Sequence, residues 1–430
     1  MNKKILQIAI PSIISNITVP LLGLIDVAIV GHLGAAAYIG AVAVGGMLFN
    51  VLYWSLGFLR MGTSGMTSQA YGKRSLDEVV RLLIRSLTTG ISLGLCFILL
   101  QYPLQLVAFH FIGGSEEVET FAALYFRICI WGAPAVLALY SFMGWFIGMQ
   151  NSRFPMYISI VQNIVNILVS LCLVFVFDLK IAGVAWGTLI AQYAGVLMAI
   201  LLWRRYYARL GFWRYFMESL QLNAMLRFFS VNSDIFLRTL CLVAVTVFFT
   251  SSGAKEGDVL LAVNTLLMQL FTLFSYIMDG FAYAGEALGG RYVGARDKPS
   301  LHRLVTRLFL WGGFLALLFT LLYGLGGNGF LRLLTNDEEV ILTSGNYLYW
   351  ALAIPLTAFA AFLWDGLFIG ATATRYMLLS MLVASAAFFG VYYLLHDYWG
   401  NHALWAAFII YLTLRGVMQT YLGRRVLANI

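Results

Sequence analysis

The chain is a succession of long apolar runs separated by short polar connections, and those runs set its architecture. Twelve of them, at 5–30, 39–66, 79–101, 118–148, 155–177, 181–203, 224–250, 259–289, 302–325, 340–370, 376–395 and 403–423, are long enough to cross a bilayer. At about 1.5 Å per residue, roughly 20 residues cover a hydrocarbon core about 30 Å thick. No water is available there to satisfy backbone N–H and C=O groups, so each run is expected to be a helix. The predicted fold class is therefore an all-α polytopic membrane protein with twelve transmembrane helices.

Polar positions inside the apolar runs are the informative ones. In the first run Ser12, Ser15, Val19 and Asp26 recur at steps of three, four and seven, which predicts one helix face with Asn16 at its edge. Pro11 and Pro20 lie in the same run, and Pro20 cannot donate to the Asn16 carbonyl, so a bend is expected near mid-membrane. A carboxylate near the bilayer centre costs about 2.5–3.5 kcal/mol on insertion scales. Asp26 therefore reads as a proton, ion or substrate site, and the alternative is an Asp held in a static hydrogen-bond network. On the fifth run Asn163, Asn166 and Ser170 are spaced by three and four; with Thr188 on the sixth they form a polar face that can converge on Asp26.

In the second half the intramembrane charges are Asp234, Asp279, Glu286 and Asp365, with Arg227 and Arg238. Asp234 and Arg238 are an i,i+4 pair, and Arg238 is expected to be matched by Asp234, Asp279 or Asp365. Two readings stay open for this group: a structural or gating ion-pair network, or a second ion or substrate site.

An internal repeat fixes the order of the halves. Gly144-Trp145-Phe146-Ile147-Gly148 recurs as Gly366-Leu367-Phe368-Ile369-Gly370, an offset of 222, and Glu116-Glu117-Val118 recurs as Glu338-Glu339-Val340 at the same offset. Pro134 and Pro355 match within one residue. The unit is six helices, and an even unit keeps its orientation, so the halves are parallel repeats about an axis along the membrane normal. The expected division is an amino-terminal lobe at 1–203, a cytoplasmic linker at 204–223 and a carboxyl-terminal lobe at 224–430.

Composition excludes the soluble classes. Hydrophobic residues make up 61% and charged residues 11%, against about 25% charged in soluble domains, and the mean hydropathy is +0.86. Nineteen Lys and Arg fall in connections on one side, whereas only Lys180, Lys255 and Arg332 fall opposite, which predicts cytoplasmic termini. The net charge of +8 then reflects topology and requires no nucleic acid. Lys3 and Lys4 ahead of an apolar run imitate a signal peptide, but Pro11, Asn16 and Asp26 break that run, so the first helix is expected to be retained. The four cysteines stand singly in apolar runs, and the five histidines, His110 among them, fall near helix ends. No metal, redox or other cofactor is expected, and no phosphate-binding or nucleophile motif points to an enzyme. Transport would draw on an ion gradient. The 11 Trp and 23 Tyr are divided between an interfacial belt and cavity lining for flat apolar substrates.

Several segments together resemble the multidrug and toxic compound extrusion family, in its DinF-type, DNA-damage-inducible branch. They are Pro11 with an Asp fifteen residues later, Gly57-Phe58-Leu59-Arg60-Met61-Gly62-Thr63-Ser64-Gly65 followed by Gln69-Ala70-Tyr71-Gly72, Asp279-Gly280-Phe281-Ala282-Tyr283-Ala284 with Glu286, and Asn232-Ser233-Asp234-Ile235-Phe236-Leu237-Arg238. The resemblance covers essentially the whole chain. It implies a V-shaped pair of six-helix bundles that exports amphiphilic, often cationic compounds in exchange for H⁺ or Na⁺; H⁺ is placed ahead of Na⁺, and the protein is expected to act as a monomer in the cell inner membrane. By position, Asp26 matches the family's coupling acid, and Tyr125, Asn166 and Thr188 match its polar partners. One position departs: where the family usually has a second Asp, four residues after Asn166, this chain has Ser170. A lipid or lipid-linked oligosaccharide flippase of the same superfamily is the alternative, though the first half's membrane interior is poor in the Arg and Lys that would bind phosphates.

Overall fold

The computed structural model describes residues 1–34, 36–111 and 116–428, without the side chains of Ala36, His110, Phe111 and Asn328, so the His110 imidazole lies outside the described residues. Helices follow one another throughout: α1 (Asn2–Gly31), α2 (Ala36–Ser55), α3 (Phe58–Gly72), α4 (Leu76–Leu99), α5 (Gln101–Phe111), α6 (Glu116–Cys129), α7 (Ala133–Gly148), α8 (Arg153–Leu171) and α9 (Lys180–Tyr207) in the first half. After a short α10 (Phe216–Ser219), the second half runs α11 (Leu222–Lys255), α12 (Asp258–Gly294), α13 (Lys298–Leu334), α14 (Glu338–Gly345), α15 (Leu348–Gly370), α16 (Thr374–Trp399) and α17 (Asn401–Ala428). Twelve stretches among the described residues are long and apolar enough to cross a membrane, with α2 and α3 forming one and α6 and α7 another.

The expected span 340–370 is divided. Asp337 caps α14 by accepting from the Glu339 and Val340 amides at 3.0 and 3.3 Å, and the chain then turns at Asn346 before α15 begins. The first half breaks its corresponding span at a later point of the repeat, with a 3-10 turn at Ile130–Gly132, after which Pro134 sits in the first turn of α7, where its missing N–H costs nothing. By contrast, α1 passes through both Pro11 and Pro20 without ending.

Two compact units result, Pro11–Asn232 and Met1–Ile10 with Ser233–Ile430. This differs from the expected division at 203 and 224. The linker belongs to the first unit because α4 holds it: Arg81 pairs with Glu218 at 2.6 Å, the buried Arg85 donates to the Ser219 carbonyl at 3.0 Å, and Tyr215 donates to Asp77 at 2.6 Å. The first turns of α1 belong to the other unit, where Tyr292 reaches the Met1 sulfur at 3.8 Å. The two crossing points, after Ile10 and after Asn232, are separated by the repeat offset itself.

Each unit is assembled by close helix crossings at small residues, as expected where lipid supplies no hydrophobic drive between helices. A Cβ on Gly144 of α7 would stand 2.2 Å from the Arg60 carbonyl oxygen of α3, and one on Gly366 of α15 would stand 2.1 Å from that of Ala282 on α12. One turn further on, Gly148 faces Ser64 and Gly370 faces Glu286. All four partner positions repeat with the sequence offset, so the repeat is one of packing as well as of residues. Gly366→Ala is expected to force α12 and α15 apart, at the roughly 1–3 kcal/mol typical of overpacking. A lowered melting temperature and yield of the detergent-solubilised protein would show it, and an unchanged melting temperature would mean that the crossing is not fixed there. In the first unit a hydrogen-bond chain adds to this, from Thr63 to Ser86 at 2.6 Å and from Ser86 to Ser141 at 2.7 Å, tying α3, α4 and α7 together.

Candidate functional site

α1 brings Asp26 to within five residues of its end, and α8 and α9 supply what surrounds it. Gly187 permits this arrangement, since a Cβ there would stand 2.0 Å from the Ser170 hydroxyl oxygen, and so α9 lies close enough for its next residue, Thr188, to meet α1. The Thr188 hydroxyl donates to Asp26 Oδ2 at 3.2 Å and accepts from Asn166 Nδ2 at 3.1 Å. The Asn166 amide also stands beside the Asp26 carboxylate. Tyr125 of α6 lies close to Asp26 and Thr188, its ring seated against Gly45, where a Cβ would be 2.4 Å away. Asp26 is 4% exposed, and Asn166 and Ser170 are fully buried.

The electrostatics of this site are lopsided. Asp26 has no Lys or Arg partner among the described residues, and its Oδ1 is buried without any hydrogen bond. Asn166 Oδ1 and the Ser170 hydroxyl are likewise buried and unpartnered. The site thus offers one negative charge and several spare acceptors, with nothing positive to answer them. A buried charge left so is costly, and a proton or a cation removes the cost.

Two expected members lie elsewhere. Asn163 is only half-buried and donates to its own helix at Ser159 O, 2.8 Å away, while the Ser159 hydroxyl meets that of Ser15 at 2.8 Å. Val19, expected on the same face as Ser12 and Asp26, is 65% exposed. The reason is that the middle of α1 is uncovered, with Ile14, Ile17, Leu21 and Leu24 also exposed; the polar stripe is enclosed only at Ser12 and Asp26.

In the other unit Asp365 of α15 is the centre. Arg238 of α11 and Arg415 of α17 both pair with its Oδ2, and Gln419 donates to its Oδ1 at 2.6 Å. Asp234 accepts from Thr374 at 2.8 Å, so the i,i+4 pairing with Arg238 does not form. Asp279 is half-buried beside Tyr276, and Glu286 is buried where α12 crosses α15. Sequence reasoning missed Arg415 and Gln419. The signal was present, for Arg415 is a charge inside the last apolar run in the same way that Arg238 is inside the seventh. Both carboxylate oxygens are engaged, and two guanidinium groups stand against one acid, so the cluster carries no surplus negative charge with which to hold a second cation.

The MatE family model matches residues 11–172 and 235–394, once in each repeat. Over 424 residues the chain is 38% identical to DNA damage-inducible protein F of Escherichia coli, spanning 99% of this chain and 92% of that protein. It is 22% identical over 362 residues to a probable multidrug resistance protein NorM of Photorhabdus laumondii, spanning 81% of this chain and 77% of that one. A crystal structure described as MATE in the bent conformation superposes with a TM-score of 0.89 over 100% of this chain and 96% of that chain, at 18% identity, a likeness of fold.

Proposed function

Because this chain belongs to the MatE family of membrane transporters, which are not enzymes, we propose that it is a secondary antiporter exporting amphiphilic, often cationic small molecules in exchange for H⁺, with Asp26 as the coupling acid. One observation carries the reading: a buried carboxylate within a membrane-spanning helix, donated to by Thr188 and without a Lys or Arg partner among the described residues. Such a group holds a proton or an organic cation, one at a time. That exclusivity is the substance of antiport, because an entering proton displaces the cation and each occupant favours a different arrangement of the protein. Pro20 lies six residues before Asp26 on α1, so a change of occupant at Asp26 is placed to alter the bend of that helix. With Ser170 in place of a second acid, the site has a single carboxylate, and H⁺ is preferred to Na⁺ as its coupling ion. The excess of Lys and Arg on one set of connections supports a multi-pass protein of the cell inner membrane with both termini in the cytoplasm, and the reading takes it as a monomer. The flippase alternative is not favoured, for the Asp26 site would repel a phosphate.

Uptake of a lipophilic cation such as ethidium into inverted vesicles, whose lumen is the former outer side, first under an imposed pH gradient and then under a Na⁺ gradient, tests the reading. Dye movement driven by the pH gradient is expected. A reconstituted protein that moves lipid head groups but no dye under either gradient would overturn it.

A further inference from the structure

We propose that the groove between the start of α1 and the outer face of α13 is a binding site for an anionic phospholipid of the surrounding membrane. The groove, about 280 Å³, is lined by Asn2, Arg307, Leu310, Trp311 and Phe314. The four α13 residues lie at steps of three, one and three, on one face of the helix. Arg307 is exposed and makes neither an ion pair nor a hydrogen bond among the described residues. Its neighbour Arg303 is occupied on its own helix, with Nε donating to Pro299 O at 3.3 Å and Nη2 to Ser300 Oγ at 3.4 Å. Asp297 is engaged as the cap of α13, accepting from the Ser300 amide at 3.1 Å.

The depth suits a headgroup with its chains. Arg307 lies nine residues beyond Lys298, about 13.5 Å along the helix at 1.5 Å per residue, where the charged end of the helix gives way to its apolar length. Below it Leu310 and Phe314 are 58% and 56% exposed, an apolar track for an acyl chain. Trp311 is half-buried between them, packed on Phe281 at 5.9 Å and Phe314 at 6.2 Å, and so forms a fixed wall. A guanidinium with its donor fork free is matched to a phosphate, and the Asn2 amide adds a polar group at the same rim. The charge around the rim selects among lipids. Lys3, Lys4 and Lys298 are exposed at this end of the unit, and they repel the ammonium of a zwitterionic headgroup while attracting one with net negative charge.

Native mass spectrometry of the full chain in detergent, incubated with phosphatidylglycerol or phosphatidylcholine, tests the site. The wild-type chain is expected to retain phosphatidylglycerol in preference, Arg307→Gln to retain it about fivefold less, and Arg303→Gln to behave as wild type. Phe314→Ala should weaken retention of both lipids, since it shortens the acyl track. These side chains are exposed, so folding should be unaffected, and a size-exclusion profile confirms it. Unchanged retention in Arg307→Gln, or an equal loss in Arg303→Gln, would overturn the proposal; the second result would reduce it to diffuse attraction by a basic end.

Discussion

Replacing Asp365 with alanine should cost the protein more stability than any other single change in its second half. The substitution leaves Arg238 and Arg415, 8% and 2% exposed, without the carboxylate that both pair with. Removing one member of a buried pair typically costs about 3–5 kcal/mol, because the penalty is that of an uncompensated charge and not merely of a lost bond. Here two cations are orphaned at once. Gln419 also loses its acceptor. The expected outcome is little or no monodisperse protein in detergent and, in any that survives, a melting temperature well below wild type. Arg415→Met combined with Asp365→Asn should recover part of the yield, since one guanidinium is then removed with the acid. Normal yield and melting temperature with abolished transport would instead make Asp365 a functional ion site.

Asp26→Asn should have the opposite profile. The amide keeps the size of the side chain and can still accept from Thr188 at the position of Oδ2, now 3.2 Å from its hydroxyl. It removes the cost of burying a potential charge, so folding should be equal or slightly favoured. Yet the amide cannot exchange a proton for a cation. Gradient-driven export should fall to the background of empty vesicles, while expression and membrane insertion remain normal. If Asp26 merely anchors the Thr188 and Asn166 hydrogen bonds, the variant should export nearly as well as wild type, and coupling would have to be sought among Asp234, Asp279, Glu286 and Asp365.

Much of the architecture was legible in the sequence because a membrane permits few alternatives. Length and hydropathy alone located the twelve spans, and the glycines of the repeat sit where two backbones meet, so their spacing records a packing constraint directly. Asp26 with Asn166 and Thr188 was legible for the same reason, since polar groups in lipid must find one another. Other features depend on which face of a helix is covered, and that is a property of the whole bundle. Periodicity placed Val19 beside Asp26, but coverage of α1 stops between Ser12 and Asp26. Asn163 had a polar partner within its own helix, an option that spacing cannot exclude. Arg415 required recognising that the last apolar run carries a charge at the depth of Asp365. The division after Ile10 and after Asn232 depends on contacts distant in sequence, of which no local pattern gives notice.

The central claim is that one carboxylate exchanges a proton for an organic cation, and the most direct measurement follows both at once. Proteoliposomes containing the wild-type chain, loaded with a pH-reporting dye and a fluorescent lipophilic cation, would be given an outward-directed cation gradient with no imposed pH difference. The account predicts that cation exit is accompanied by acidification of the lumen, that Na⁺ neither drives nor is required for it, and that Asp26→Asn abolishes both signals together. Cation exit without any change in luminal pH, or proton-linked exit that persists in Asp26→Asn, would contradict it.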